Sequence, residues 1–289
     1  MSVTQLPTST QAAAANSDAA APSWSDHALV VGTLCRRELT RFFRQRNRVI
    51  GAVGQPILFW ILFGAGLGPS FRMAGTEASG VSYSEFFFPG TLSLILLFTA
   101  IFTTISIIED RREGFLQSVL TAPIARWSMV LGKLLGGTLI ALVQAMIFFA
   151  LGLTLHLSFS PMMIVAVVAF SFLSAFTLTA IGFLIAWRMD STQGFHAVMS
   201  VFLMPMWLLS GAFFPGEGVL RYVMAVNPMT YMTAGLRQLM YWNVPNRAAL
   251  LPPHTPSLAV CWLVTGALAC LLFAAAVRMA RSRTTADLL

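Results

Sequence analysis

Charge is what this 289-residue sequence has least of. Asp, Glu, Lys and Arg together supply 10% of it, against roughly 25% in soluble domains, too little to cover an ordinary globular surface. Its 3 cysteines exclude a disulfide framework: Cys261 and Cys270 fall on opposite faces of one helix, and Cys35 is far from both. The 4 histidines (His27, His156, His196, His254) are scattered without metal-ligand spacing. The phosphate-binding pattern G-x-x-x-x-G-K-[ST] is absent, because "LGKLL" carries the lysine without the upstream glycine or the following hydroxyl. No H-E-x-x-H, no G-x-S-x-G and no carboxylate pair within an apolar run is present, which argues against catalysis in this chain. No cofactor is expected.

What the sequence has instead is apolar length. Hydrophobic residues make up 57% of it, and a hydrocarbon core of about 30 Å takes about 20 apolar residues in helical form. Six uncharged runs approach or exceed that length, at 49–68, 86–108, 134–157, 162–187, 197–214 and 258–277. A backbone in lipid must satisfy its own hydrogen bonds, and none of the runs alternates as barrel strands do. The expected fold is therefore an all-α polytopic membrane protein with six transmembrane helices.

The net charge of +7 follows the same plan. With the N-terminus inside, fourteen of the 18 Lys and Arg fall on the cytoplasmic side, and only Arg72, Arg221, Arg237 and Arg247 fall outside. The excess of positive charge inside places both termini in the cytoplasm. Basic residues that frame spans, and do not gather in one aromatic-studded patch, do not make a nucleic-acid surface.

Residues 1–26 are rich in Ala, Ser, Thr and Gln, without a basic start or an apolar core, and read as a disordered tail. Over 27–48 a basic amphipathic interfacial helix is expected along the inner leaflet, with Val31, Leu34, Leu39, Phe42 and Phe43 on one face and Arg36, Arg37, Arg41 and Arg44 on the other. A transmembrane domain follows over 49–280, and a cytoplasmic tail over 281–289. Gly132 and Gly136 stand at a small-xxx-small spacing that lets helices approach closely. Before the last span, 219–226 and 229–242 are apolar but too short to cross. They read as re-entrant or interfacial, or as ordinary loop packing, with Asn227 as N-cap and Pro228 at the first helical position.

The densest charge lies between the second and third runs, in "IIEDRREGFLQSVLTAPIARWSMVLGKLLGG". Glu109, Asp110 and Glu113 are expected to open a new helix at the positive end of its dipole, with Arg111 and Arg112 keeping that start nearly neutral. Phe115, Leu116, Val119 and Leu120 then form an apolar stripe, and Pro123 stops the helix. A short amphipathic helix fixed to two spans can carry force from a soluble partner into the membrane.

Glu109, Glu113, Gly114, Leu116, Leu120 and Pro123, acidic residues, then a glycine, then leucines and a proline, make this segment resemble the cytoplasmic signature of ABC type-2 transporter permeases. "NPMTY", with Asn227, Pro228, Thr230 and Tyr231, followed by Gly235, Leu236 and Arg237, is similar to the extracytoplasmic segment of the same family. The resemblance covers about 29–280. It implies a permease subunit in a bacterial cytoplasmic (inner) membrane, paired with a second copy of itself and two copies of a separate ATP-binding cassette subunit. It also implies a coupling helix over 109–120, an arm over 27–44 that contacts the same partner, and an outer gate at the re-entrant pair.

The implied function is ATP-driven export of an amphipathic or hydrophobic cargo: a lipid-linked glycan, a lipo-oligosaccharide or a drug. Phe86, Phe87, Phe88, Gln144, Trp207, Phe213 and Phe214 are the expected lining of a path between two copies. The alternative is a secondary transporter or channel without ATP coupling. Ion coupling calls for ionisable residues inside the bilayer, and the six runs as bounded contain no Asp, Glu, Lys or Arg.

Overall fold

The computed structural model describes residues 23–45, 83–122, 124–155, 159–212, 218–244, 251–252 and 254–282, with parts of 49–62. Every regular element among the described residues is helical: α1 (Trp24–Arg44), α2 (Tyr83–Thr103), α3 (Ile105–Arg112), α4 (Phe115–Thr121), α5 (Arg126–Ala150), α6 (Pro161–Ala186), α7 (Thr192–Trp207), α8 (Leu220–Val226), α9 (Pro228–Met240) and α10 (Leu258–Ser282). Five stretches among them are long and apolar enough to cross a membrane: Ser84–Arg112, Arg126–Leu153, Pro161–Ala186, Thr192–Ala212 and Leu258–Ser282. The run at 49–68 is only partly described. It is helical where it is described, and Trp60 there packs on Phe88 and Phe148 with ring centroids 5.7 and 5.9 Å apart.

The helices outrun the apolar stretches that announce them. α2 and α3 form one rod through Arg112, bent at Thr104, where Thr103 and Thr104 donate back to the carbonyls of Ala100 and Ile101 at 2.7 and 2.6 Å. Such back-bonding bends helices. Glu109 and Asp110 therefore close the second span and do not open a new helix. The dipole argument for them is reversed, and the arginines now stand at the end that favours cations. Gly114 follows at φ +75, a left-handed conformation that costs a residue with a Cβ roughly 1–2 kcal/mol. That turn separates α3 from α4, so the stretch 109–120 is two helices at an angle.

α1 begins at a capping box. The Ser23 hydroxyl accepts the Asp26 N–H at 3.3 Å, and the Asp26 carboxylate accepts the Ser23 N–H at 2.8 Å. The helix does more than lie on a surface. It runs alongside the first half of α5, with His27 3.0 Å from the Ser128 hydroxyl at one end and Glu38 against Gly136 further along. A Cβ at Gly132 or Gly136 would stand 2.9 Å from that of Leu34 or 2.6 Å from that of Glu38, so the two glycines form the groove that seats α1. Phe42 is buried and Phe43 is 46% exposed, so the apolar face divides between protein and surroundings.

α7 ends irregularly. Pro205 removes a backbone donor, and the helix opens into a wide turn over Leu208–Ala212 with Gly211 at φ +78. α9 is packed among the spans: Met229, Met232, Leu236 and Met240 are buried, and Gly235 lies flush against the Phe170 ring of α6.

Candidate functional site

Two constellations stand out, one at each end of the α2–α3 rod. At the α3 end the wholly buried Asp110 carboxylate is the centre. Arg37 grips it with both ends of its guanidinium, at 3.0 and 2.7 Å, and Arg41 adds a third bond at 2.8 Å. Lys133, itself buried in α5, donates to Asp110 and to Glu38 of α1, the latter at 2.5 Å. Arg41 also reaches Glu113 at 3.1 Å and lies 3.0 Å from Glu109, an ion pair whose angle falls outside hydrogen-bond geometry. Burial alone would lower the Arg37 guanidinium, but the Asp110 carboxylate holds it above its ordinary value. The Arg37 guanidinium also sits 3.7 Å over the Phe115 ring, the first residue of α4.

Arg111 and Arg112 face the other way. Arg111 donates to the Trp187 and Met189 carbonyls and to the Asp190 carboxylate, and Arg112 donates to the Asp190 carbonyl. The α3–α4 corner is thus fastened to α1, to α5 and to the turn between α6 and α7. On α4, Leu116 and Leu120 are buried, while Ser118 and Thr121 are exposed beside exposed Arg112 and Glu113. That outward face is available for a soluble partner. Pro123 lies outside the described residues.

At the other end Asn227 does two jobs. Its amide oxygen accepts the Met229 N–H at 3.0 Å, capping α9, and its amide nitrogen donates to the Met206 and Leu209 carbonyls at 2.6 and 2.9 Å. These carbonyls belong to the broken end of α7. Pro228 occupies the first helical position. Arg237 donates to the carbonyls of Gly211, Ala212 and Phe86, and Tyr241 donates to that of Glu85. Burial pulls the Arg237 guanidinium down to about 10, so it stays protonated at neutral pH. Thr233 links Ser93 to Ser210 through hydroxyls at 3.0 and 3.4 Å. Thr230 is buried, and the Tyr231 hydroxyl donates to the Ala225 carbonyl at 2.7 Å.

The residues expected to line a path are packed in the core. Phe86, Phe87, Phe88, Gln144 and Trp207 are all buried within this one chain. Phe88 stacks on Phe148, Gln144 accepts from Thr99 at 2.7 Å, and Trp207 donates to the Gly90 carbonyl at 2.9 Å. None is at the surface of this chain, because the rod that carries the phenylalanines is enclosed by its neighbours. Phe213 and Phe214 lie outside the described residues.

The profile of the family described as "ABC-2 type transporter" matches residues 30–241, from α1 to the end of α9. The chain belongs to this family. It is a multi-pass membrane protein, the transport permease of an ABC transporter, and ABC-2 permeases work with an ATP-binding subunit. Relatives agree. A protein named as the transport permease ycf38 of Cyanophora paradoxa is 26% identical over 212 residues, covering 71% of this chain and 72% of its own length. The ycf38 permease of Pyropia yezoensis is 26% identical over 243 residues, covering 75% and 77%. YbhR of Escherichia coli (strain K12), named as a multidrug ABC transporter permease, is 27% identical over 172 residues, 55% of this chain but only 44% of YbhR.

Within this ABC-2 permease the charged hub was the part hidden from sequence reasoning. Asp110, Lys133, Glu38, Arg37 and Arg41 were each visible as single charges, but the pairings that join different helices span 23 to 95 residues. The available signal was a lone lysine opening an apolar run, since an ionisable group in such a place is costly unless paired.

Proposed function

We propose that this ABC-2 permease is the membrane subunit of an ATP-driven exporter, working as two copies with two copies of the ATP-binding subunit in a bacterial cytoplasmic membrane, termini inside. The observation that carries the reading is the α3–α4 corner. A short helix with an exposed polar face is tied through Asp110, Arg111 and Arg112 to three other elements, as a receiver of force from a soluble ATPase needs to be. Glu109, Arg111, Arg112, Glu113, Gly114, Leu116, Leu120 and Pro123 form this coupling segment, and α1 contributes to the same surface. Asn227, Pro228, Thr230 and Tyr231 belong to an outer gate made by α8 and α9.

The cargo class is amphipathic or hydrophobic, which fits the multidrug name carried by YbhR and the scarcity of charge in the spans. Phe86, Phe87, Phe88, Gln144 and Trp207 meet such a cargo only when α2 separates from α5 and α7. Co-purification with the ATP-binding subunit, followed by ATPase assays across glycolipid, lipo-oligosaccharide and drug panels, tests the proposal. Stimulation by at least one class is expected, and no association with any ATP-binding subunit overturns it. The buried Asp110–Lys133 pair is the one observation favouring ion-coupled transport instead. Cargo movement driven by an ion gradient without ATP would establish that reading.

A further inference from the structure

A cavity of about 230 Å3 opens between the broken end of α7, α8, α9 and the segment leading into α10. Its chemistry is one-sided: among the described residues Arg221, Arg237 and His254 line it, and no carboxylate does. Arg221 and His254 are exposed at the mouth, while Arg237 is buried at the floor. His254 stands at φ 64, an uncommon backbone state for a residue with a Cβ.

The floor is incompletely satisfied. Arg237 spends its two terminal nitrogens on main-chain carbonyls at 3.0 to 3.5 Å, and its guanidinium lies 4.4 Å over the Phe86 ring. Among the described residues its Nε has no partner, nor does the buried Thr230 hydroxyl about two turns earlier on α9. Among the described residues Arg237 has no ion pair. A buried guanidinium without a counter-ion is costly, and carbonyl dipoles offset only part of that cost. A guanidinium and an imidazole at the mouth, then a guanidinium and a hydroxyl at the floor, form a funnel that recruits an anion and holds it.

We infer that this cavity binds a phosphoryl group, as free phosphate or as the phosphate ester of a lipid headgroup, seated between Arg237 and Thr230 and screened by Arg221 and His254. The volume accommodates a phosphate with part of its ester, and guanidinium groups suit phosphate oxygens. This site rests on the proposed exporter reading only for its placement on the outer side. Its occupancy requires neither ATP nor the ATP-binding subunit.

The full-length chain, purified in a neutral detergent, is titrated with dihexanoyl phosphatidic acid while 31P line broadening and thermal unfolding are recorded. Dihexanoylglycerol, which lacks the phosphate, serves as the control. Saturable broadening and a raised melting temperature with the phosphatidic acid alone are expected. Arg221→Ala combined with His254→Ala alters only exposed groups and should weaken binding at least tenfold, and Thr230→Val at least threefold. Competition by millimolar inorganic phosphate points to free phosphate as the occupant, and its failure with the lipid still bound points to the headgroup. Equal effects of the phosphate-free control, or unchanged affinity in both the mouth and the Thr230 variants, overturn the site. A failed ATPase assay leaves this titration unaffected, so the two proposals fall separately.

Discussion

At the scale of single residues, Asp110 and Lys133 decide more than their neighbours. Asp110→Leu leaves Lys133 and Arg37 facing each other without the carboxylate that both grip, and breaking a buried ion pair by removing one partner costs about 3–5 kcal/mol. Thermal unfolding in detergent should register that loss. Joining Lys133→Met to it should recover only the share of that loss that comes from stranding Lys133, since Arg37 and Arg41 still lack Asp110 and the buried Glu38 then loses Lys133; a double variant as stable as the wild type would show that Asp110 and Lys133 pair alone. Glu113 is a contrasting case, with its side chain 58% exposed and, among the described residues, bound by Arg41 alone. Glu113→Lys places a cation at the C-terminal end of α3, where the dipole tolerates it, so melting should shift by less than a degree or two. Under the coupling proposal the same variant loses stimulation of the ATP-binding subunit, and wild-type stimulation would remove Glu113 from the coupling surface.

Among elements, α1 and α9 carry the sharpest expectations. Gly136→Ala sets a Cβ 2.6 Å from that of Glu38, which forces α1 away from α5 at about 1–3 kcal/mol. Gly266→Ala in α10 meets nothing within 4 Å and should be neutral or slightly stabilising. Equal melting of the two variants would mean that the seam is not close-packed. For α9, Thr233 is buried and Trp242 is 54% exposed. With native cysteines removed, Thr233→Cys should resist an impermeant thiol reagent at rest and react when ATP and the partner subunit are present, while Trp242→Cys reacts in both states. Equal protection of Thr233→Cys in both states sinks the gate.

These elements were legible to different degrees. The Asn227–Pro228 start was readable because a cap is local chemistry between residues two apart. The second job of Asn227, on the carbonyls of α7, was not readable, because nothing in a sequence tells which distant helix will break. Span ends were misplaced for a related reason. Hydropathy ends a span at its first charge, whereas hydrogen-bonded backbone continues, and Asp110 and Lys133 stay inside because a third helix brings them Arg37 and Glu38.

Across the whole molecule, reporter fusions after Ser282 and at Asp190 should read cytoplasmic, and one at Trp242 extracytoplasmic; an extracytoplasmic C-terminus would overturn the six-span plan. In that orientation the helical run Ser84–Arg112 extends from one water layer to the other, 29 residues or roughly 40 Å at 1.5 Å each. Arginines and a lysine from other elements hold one end at Asp110, and α9 holds the carbonyls of Glu85 and Phe86 at the other. Thr104 is one bend in it, and Pro89 takes a backbone donor out of it near the other end. The helix therefore has the layout of a pushrod. On the coupling and gate roles proposed above, a shove on α4 reaches α9 along this shaft, and softening the bend with Thr104→Gly should leave each end intact while lengthening the lag between ATP binding and outer opening.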